Sequence, residues 1–193
     1  MLNRLRKLRR NNRGVAAIEF ALLLPMLIAL MVGCLEVTFK IWSTQKAEKL
    51  SVTLADVIAQ SQEVTTADLE SLLSAVERIM EPFPFGDDKG MVIISSVYLP
   101  PPPEDEALGE PIVNWQRKFP PSGGLNAISK VGNAGADATL PAGFEMYERE
   151  NCIVAEVFYK YTPIMPGFLF DEALVYRRAF FKPRLGALTD TPS

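Results

Sequence analysis

The chain has 193 residues, with 20 basic and 23 acidic side chains and no histidine. The absence of histidine from the sequence excludes Ser/His/Asp and Cys/His nucleophilic sites, HExxH zinc helices and histidine proton shuttles. Two cysteines are too few for a four-thiolate zinc site or a framework of several disulfides. The length fits one domain of ordinary size together with an additional segment.

Charge is distributed very unevenly along the chain. Residues 1–14 contain six basic residues and no acidic one, and residues 15–35 contain a single charge, at Glu19. From Glu36 onward the chain holds 22 acidic and 14 basic residues, a net charge of -8. The basic residues of the leader are Arg4, Arg6, Lys7, Arg9, Arg10 and Arg13.

The run from Val15 to Leu35 is apolar apart from Glu19. As a helix it would be about 31 Å long, which matches the hydrocarbon core of a bilayer. Since the basic residues directly precede this run, the positive-inside rule predicts a cytoplasmic N-terminus and a single membrane span. The core helix of a soluble protein would explain neither the length nor the one-sided charge. The basic segment lacks interleaved aromatic residues, so we expect no nucleic-acid partner.

Two kinds of secretion signal share some of these features. A cleaved signal peptide also has a basic start, but this apolar run is long for one and lacks a clear small-x-small cleavage site. Met31, Val32, Gly33 and Cys34 resemble a lipobox, although Met31 is off-pattern and Glu19 interrupts the apolar stretch. The alternative function is therefore a membrane-anchored periplasmic lipoprotein or binding module, lipidated at Cys34.

The start of the apolar run carries a family resemblance. Residues 13–25 read RGVAAIEFALLLP. This segment resembles the TadE-like minor pilins, or pseudopilins, of the tight-adherence (Flp) pilus system, a type IVc pilus, in which a basic leader ends in glycine and glutamate is the fifth residue of the mature helix. The resemblance implies that a prepilin peptidase cuts between Gly14 and Val15, and the Glu19 and Phe20 pair also matches this group.

The same resemblance implies a function. We expect a non-enzymatic minor pilin, without a cofactor or bound metal, that takes part in pilus assembly and supports adhesion. The implied partners are the prepilin peptidase, the major pilin, another minor pseudopilin, the inner-membrane pilus assembly platform and membrane lipid. The implied location is the bacterial inner membrane, with the C-terminal domain in the periplasm, and incorporation into the pilus is left open.

Two residues inside the apolar run are of physical interest. A carboxylate in a membrane helix is costly, so Glu19 is by default a functional candidate. It lies about 6 Å along the helix from Val15, whose new amine would be a suitable charge partner after cleavage. We expect Glu19 to guide docking into an assembly, and the alternative is an incidental carboxylate that snorkels to the interface. Pro25, at mid-span, removes one backbone donor and can kink the helix.

Helical patterns continue beyond the apolar run. There is no glycine or proline between Leu35 and Glu81, so the helix is expected to extend over residues 36–64. Thr65 and Asp68 have the spacing of a helix cap and begin a second helix, which continues to Met80. One face of an amphipathic helix is predicted by the spacing of Ala47, Leu50, Leu54, Val57 and Ile58.

The second half of the chain predicts strands. Strand patterns occur over Met91–Leu99, Ile112–Phe119, Cys152–Tyr161 and Leu174–Phe181, while residues 120–143 read as loop. In Cys152–Tyr161 the odd-numbered residues from Ile153 share one face. The predicted fold is α+β, with a long N-terminal transmembrane helix continuing into a pilin-like domain of helices followed by an antiparallel β-sheet. The expected segments are the basic cytoplasmic leader 1–14, the transmembrane helix 15–35, the helical extension 36–64 and the periplasmic domain 65–193.

Three further features have structural explanations. An apolar patch around Pro163 is expected to cap the domain core, and a partner-binding surface is the alternative. The acidic pairs and runs at Asp87, Asp88 and 104–106 lack the spacing of a calcium loop, so no metal site is expected. Cys152 is expected to be a buried small hydrophobe without a disulfide to Cys34. The patch comprises Met165, Phe168, Leu169 and Phe170.

Overall fold

The computed structural model describes residues 14–61, 63–86, 88–102, 109–120, 125–186 and 188–192. The basic residues of the leader, Asp87 and the acidic run 104–106 lie outside the described residues. The described helices and strands are α1 (Val15–Ala59), α2 (Thr66–Ser74), α3 (Val76–Met80), β1 (Gly90–Tyr98), β2 (Ile112–Phe119), β3 (Asn151–Tyr161) and β4 (Ala173–Phe181). This order confirms the α+β class, with a long apolar helix first and an antiparallel sheet after it.

The chain divides into two compact units. One consists of Met1–Lys40 with Pro163–Asp171, and the other of Ile41–Thr162 with Glu172–Ser193. Helix α1 contributes its first part to the former and its second part to the latter. We call these the helix–loop unit and the sheet unit.

The sheet unit is built on four antiparallel strands in the order β2-β1-β3-β4. The central strands β1 and β3 pair with Ile94 opposite Ala155, and Ala155 in turn faces Ala179 of β4. The register between β1 and β2 shifts at Ser96/Val97, where a bulge interrupts the ladder. All four strand ranges lie within one residue of those predicted from the sequence, because each is a β-rich run bounded by turn residues.

Both faces of β3 are buried. The face predicted from alternation, with Ile153 and Val157, is buried, but Cys152 and Val154 on the opposite face are buried as well. The second face is covered by the chain around 125–146, whose apolar side chains complete two core clusters. Most of this segment was predicted to be a loop. It has no regular secondary structure, but it covers one face of the sheet and forms a layer of the core.

The second part of α1 packs on the face predicted from alternation. Arg177 lies opposite Val157 and so shares its face, and its Nε lies 3.9 Å from an Oε of Glu48 in α1. Most of the predicted amphipathic stripe is buried, but Val57 is 38% exposed and lies at the margin of the contact. The buried members of the stripe are Ala47, Leu50, Leu54 and Ile58.

The predicted cap of the second helix is present. The backbone N–H of Asp68 donates to Thr65 Oγ1 at 3.1 Å, and the Thr65 N–H donates to Asp68 Oδ2 at 3.2 Å. Hydrogen bonds from Thr65 to the carboxylate lower the pKa of Asp68. The predicted single helix is interrupted at Ala75, whose N–H donates to the carbonyl of Leu72 three residues back, which separates α2 from α3.

Candidate assembly and membrane-anchoring segment

The expected processing junction lies at the start of α1. Gly14 is exposed and immediately precedes Val15, the first residue of the helix. Among the described residues outside its chain neighbours, no heavy atom lies within 4 Å of the position that a Cβ on Gly14 would take. Val15 is itself about half exposed. The peptide bond between these residues is therefore sterically open at the end of a helix.

Glu19 and Phe20 lie one turn further along α1. Both side chains are exposed, and Glu19 is the single charged residue between positions 15 and 35. Four residues separate Glu19 from Val15, which corresponds to about 6 Å along the axis. Glu19 is the fifth residue of α1, so it lies just beyond the first turn, which contains no acidic residue. The unsatisfied N–H groups of the N-terminal turn therefore stabilise its carboxylate only weakly.

The surface of α1 around these residues is apolar and open. Leu22 is 75% exposed and Met26 is 69% exposed. Within the described chain, no side chain in the most apolar 18-residue window of this helix is buried. By length and composition α1 can cross a membrane. A water-soluble surface rarely exposes so much contiguous apolar area, so this surface fits a single-pass membrane anchor.

Pro25, Cys34 and Leu35 all lie inside the continuous helix α1. The helix passes through Pro25 without ending. Cys34 is exposed, and its carbonyl accepts a hydrogen bond from Thr38 Oγ1 at 2.8 Å. Leu35, the last residue of the apolar run, is also exposed. The helix therefore extends well past the expected end of the membrane span.

Within the helix–loop unit, the connection between β3 and β4 lies against α1. The backbone N–H of Met165 donates to Glu36 Oε1 at 2.7 Å, and the ammonium of Lys40 lies 3.9 Å from the centre of the Phe170 ring. A Cβ on Gly33 would lie 3.6 Å from the Leu169 side chain. The patch around Pro163 thus lies against α1 within the helix–loop unit, and the prediction that it caps the core of the domain is wrong.

Glu36 is the residue of this region that the sequence analysis missed. Its side chain is fully buried although it lies next to the apolar run. With Gly33 and Lys40 it forms a row at spacings of three and four residues, which places the three on one helix face. The spacing was visible in the sequence, but its partner is 129 positions away in the chain.

Comparison with known proteins bears on this segment of the chain. Residues 14–51 match the family model described as TadE-like protein. The segment is TadE-like. The match confirms the TadE-like resemblance predicted for this segment, and it covers the junction, Glu19 and most of α1. No curated protein and no solved structure matches the chain.

The sheet unit contains a buried carboxylate that the sequence analysis did not single out. Glu156 of β3 is fully buried, and its Oε1 accepts hydrogen bonds from the Lys130 N–H at 2.9 Å and the Tyr176 hydroxyl at 2.8 Å. Its Oε2 accepts from the Ser129 hydroxyl. Burial, followed by the hydrogen bond to Glu156, raises the pKa of Tyr176. This network fixes the covering segment at Ser129 and Lys130 to the sheet.

A second buried network fixes the C-terminal part of the chain. The carbonyl of Leu188 accepts hydrogen bonds from Ser96 Oγ at 2.8 Å and from the Trp115 indole N–H at 3.0 Å. Asn151 donates to Ser96 Oγ at 2.6 Å. These residues lie on three adjacent strands, so one carbonyl ties the C-terminal segment across β2, β1 and β3.

The remaining titratable groups do not assemble a metal site in the described ranges. No cluster of three or more cysteine, aspartate or glutamate residues suited to a metal ion occurs among the residues that the structure describes. Cys152 is buried, as predicted, and burial raises its pKa to about 12. A thiol with such a pKa is a weak nucleophile at neutral pH.

Proposed function

We propose that this TadE-like chain is a non-enzymatic minor pilin of a tight-adherence (Flp) pilus. In this proposal a prepilin peptidase cleaves it between Gly14 and Val15, and it takes part in pilus assembly and adhesion. One observation carries the proposal: the TadE-like segment begins at the first turn of a long helix whose apolar surface the described chain leaves uncovered. Such a helix needs a bilayer before assembly and neighbouring subunits after it.

Anchoring follows from the charge pattern around the helix. Residues 1–14 carry a net charge of +6, which favours their retention on the cytoplasmic side of an inner membrane. In the proposed topology residues 15–35 span the membrane once and residues 36–193 are periplasmic. The helical extension ends at Ala59, five residues before its expected limit at position 64.

Cleavage would create a positive charge that can pair with the carboxylate of Glu19. Hydrolysis of the Gly14–Val15 peptide bond leaves a protonated amine on Val15, one helical turn from the carboxylate. In an apolar medium an unpaired carboxylate is costly, so the pair lowers the free energy of keeping Glu19 within the span. When the amine belongs to a neighbouring subunit, the same pairing fixes the axial register between two helices.

The proposed partners follow from this arrangement and from the family. The exposed helix surface packs against the major pilin and another minor pseudopilin, and the inner-membrane platform receives the processed chain. Membrane lipid covers the helix before assembly. The open geometry at Gly14 is compatible with entry of the junction into the site of the peptidase.

The first test is the N-terminus and intact mass of the protein from its native membrane, with and without the prepilin peptidase. We expect a chain that starts at Val15 only when the peptidase is present. Gly14→Val should block processing because a branched side chain then occupies the junction, whereas Asn12→Ala in the leader should be processed normally. A chain starting at Met1 in both cells would disprove maturation, and a lipidated chain starting at Cys34 would establish the lipoprotein alternative.

The second test addresses assembly. Glu19→Ala should be processed yet lose co-purification with the other pilins and lose piliation, because the charge pair is absent. Glu70→Ala is the matched control, since Glu70 is an exposed carboxylate on helix α2. Unchanged piliation and co-purification in Glu19→Ala would show that the carboxylate has no docking role.

A further inference from the structure

The connection between β3 and β4 has an unusual composition for an exposed loop. Residues 163–170 read PIMPGFLF, eight residues without a charge or a polar side chain. Thr162 precedes this run, and Asp171 and Glu172 follow it. We call residues 163–170 the apolar loop. Surface connections normally carry polar side chains, because their backbone and side chains face water.

The apolar loop lies beside the apolar run of α1, residues 15–35. Leu169 contacts Gly33, which lies about 3 Å inside the end of that run at Leu35. Met165 and Phe168 line a groove of about 410 Å³ together with side chains of α1. The α1 residues of the groove are Ala21, Leu24, Pro25, Ile28, Ala29 and Val32.

Part of the backbone of the apolar loop is hydrogen-bonded within the protein. The N–H of Met165 donates to Glu36, that of Phe168 to the Met165 carbonyl at 3.1 Å, and that of Gly167 to the Phe170 carbonyl at 3.3 Å. Pro163 and Pro166 have no N–H to satisfy. Irregular backbone enters the hydrocarbon region only when its polar groups find partners within the protein.

The outer side of the apolar loop is nevertheless open. Met165, Phe168 and Leu169 remain between 42% and 48% exposed in the described chain. Near the far end of the loop, Lys40 of α1 lies over the Phe170 ring, where a cation with an apolar stem suits the headgroup boundary. The exposed apolar side chains of the loop therefore lie beside the apolar run of α1, and the charged side chain of Lys40 lies beyond the end of that run.

We propose that the apolar loop inserts beside α1 into the acyl chains of the leaflet that adjoins Leu35, and that lipid is the occupant of its open face. Glu36 is the positioning residue, because its carboxylate holds the loop backbone at Met165. Continuity with an apolar run of bilayer length favours lipid as the occupant. The inference rests on the membrane-anchoring part of the proposed function.

The test uses the full chain in phospholipid vesicles, with a nitroxide spin label on the cysteine introduced by Phe168→Cys in a Cys34→Ala background. Collision with oxygen, which concentrates in acyl chains, is compared with collision with a water-soluble nickel chelate. We expect strong oxygen collision and loss of nickel collision at position 168. A label on Ile128→Cys, an exposed apolar position of the sheet unit, is the aqueous control.

A label on Leu27→Cys separates this inference from the membrane anchor. Leu27 is an exposed residue of the apolar run of α1. If Leu27 faces lipid while position 168 collides with nickel, the loop inference is wrong and the anchor stands. If the labels at positions 27 and 168 both collide with the nickel chelate, the proposed membrane anchor is itself wrong. Spectral broadening at position 168 that disappears on dilution with unlabelled chain would instead identify a second copy as the occupant and overturn the lipid assignment.

Substitution of Glu36 tests its positioning role. Glu36→Ala removes the acceptor for the Met165 N–H and should restore nickel collision at position 168, while Leu27 remains in lipid. Glu36→Gln keeps a carbonyl acceptor and should retain the lipid signature. Equal spectra for the two variants would show that Glu36 does not position the apolar loop.

Discussion

The two parts of helix α1 have similar side chains in opposite environments. Near its start Leu22 is 75% exposed, whereas Leu54, more than eight turns further on, is 1% exposed. The first belongs to a run that makes few contacts within its own unit, and the second is part of the core of the sheet unit. Apolar composition alone therefore does not decide burial, because burial requires a partner surface.

This difference separates folding from assembly. The second part of α1 is covered by its own chain, so its apolar side chains contribute directly to the free energy of folding. The first part gains nothing comparable from the described chain, and in the proposed function lipid or other subunits cover it. Substitutions in the two parts should consequently be detected by different measurements.

The largest predicted contrast concerns two leucines of α1. Leu54→Ala should lower the free energy of unfolding by about 2–5 kcal/mol, because it leaves a cavity in the core. Leu22→Ala should change it by less than about 0.5 kcal/mol. Urea unfolding of the full chain in a mild detergent, followed by the fluorescence of buried Trp115, measures both. Equal destabilisation by the two substitutions would contradict the division of α1 into a buried and an uncovered part.

A smaller loss of stability is expected from a second comparison, between the buried carboxylate of Glu156 and the exposed carboxylate of Glu19. Glu156→Ala should lower the free energy of unfolding by about 2–3 kcal/mol, because it leaves the buried Ser129 hydroxyl and the Lys130 N–H without their acceptor. Glu19→Ala should leave the same measurement nearly unchanged. Glu156→Gln retains an acceptor and should be intermediate. A Glu156→Ala protein as stable as the wild type would show that the network does not hold the covering segment.

The smallest predicted effect is electrostatic and lies on the surface of the sheet unit. The hydrogen bond from Lys182 Nζ at 2.8 Å is the main cause that lowers the pKa of Glu150 below its ordinary value of 4.5. Because the folded pKa is lowered, this stabilisation is present above pH 4.5 and is lost as the pH falls through the folded pKa. It should amount to less than about 1 kcal/mol, since both side chains are partly exposed.

The test of this ion pair is Lys182→Ala. The pKa of Glu150 should rise in a carboxyl NMR titration but stay below 4.5, because the Tyr147 N–H still donates to the carboxylate at 2.9 Å. The difference in unfolding midpoint between wild type and variant should vanish at acidic pH. A difference that persists at acidic pH would assign the stabilisation to packing of the lysine stem.

Local signals in the sequence located most of the secondary structure. The Thr65 and Asp68 spacing gave the start of α2, and β2 has the predicted limits, because these signals act between neighbouring residues. The prediction of one helix up to Met80 missed the tighter hydrogen bond at Ala75. Val57 was placed in the buried stripe, but helical spacing gives only the direction of a side chain and not the edge of its partner.

Contacts between distant segments could not be derived in this way. Glu36 and Met165 are 129 positions apart in the chain. Glu156 of β3 accepts a hydrogen bond from Ser129, which lies in a loop whose sequence has no regular pattern. The covering role of 125–146 was likewise invisible, because a segment rich in glycine, alanine and other small residues has no periodicity that indicates a buried face. The site proposed at Gly14 and Glu19 rests on a local motif, which a single sequence does display.

The sequence by itself determined the apolar run of bilayer length, its basic flank, the TadE-like motif and the α+β order, since composition and short-range periodicity encode each of them. The tertiary structure alone decided the burial of both faces of β3, the hydrogen bonds of Glu156 and the placement of the apolar loop on α1. These features depend on packing between residues far apart in the chain, and such contacts leave no periodic pattern in a single sequence.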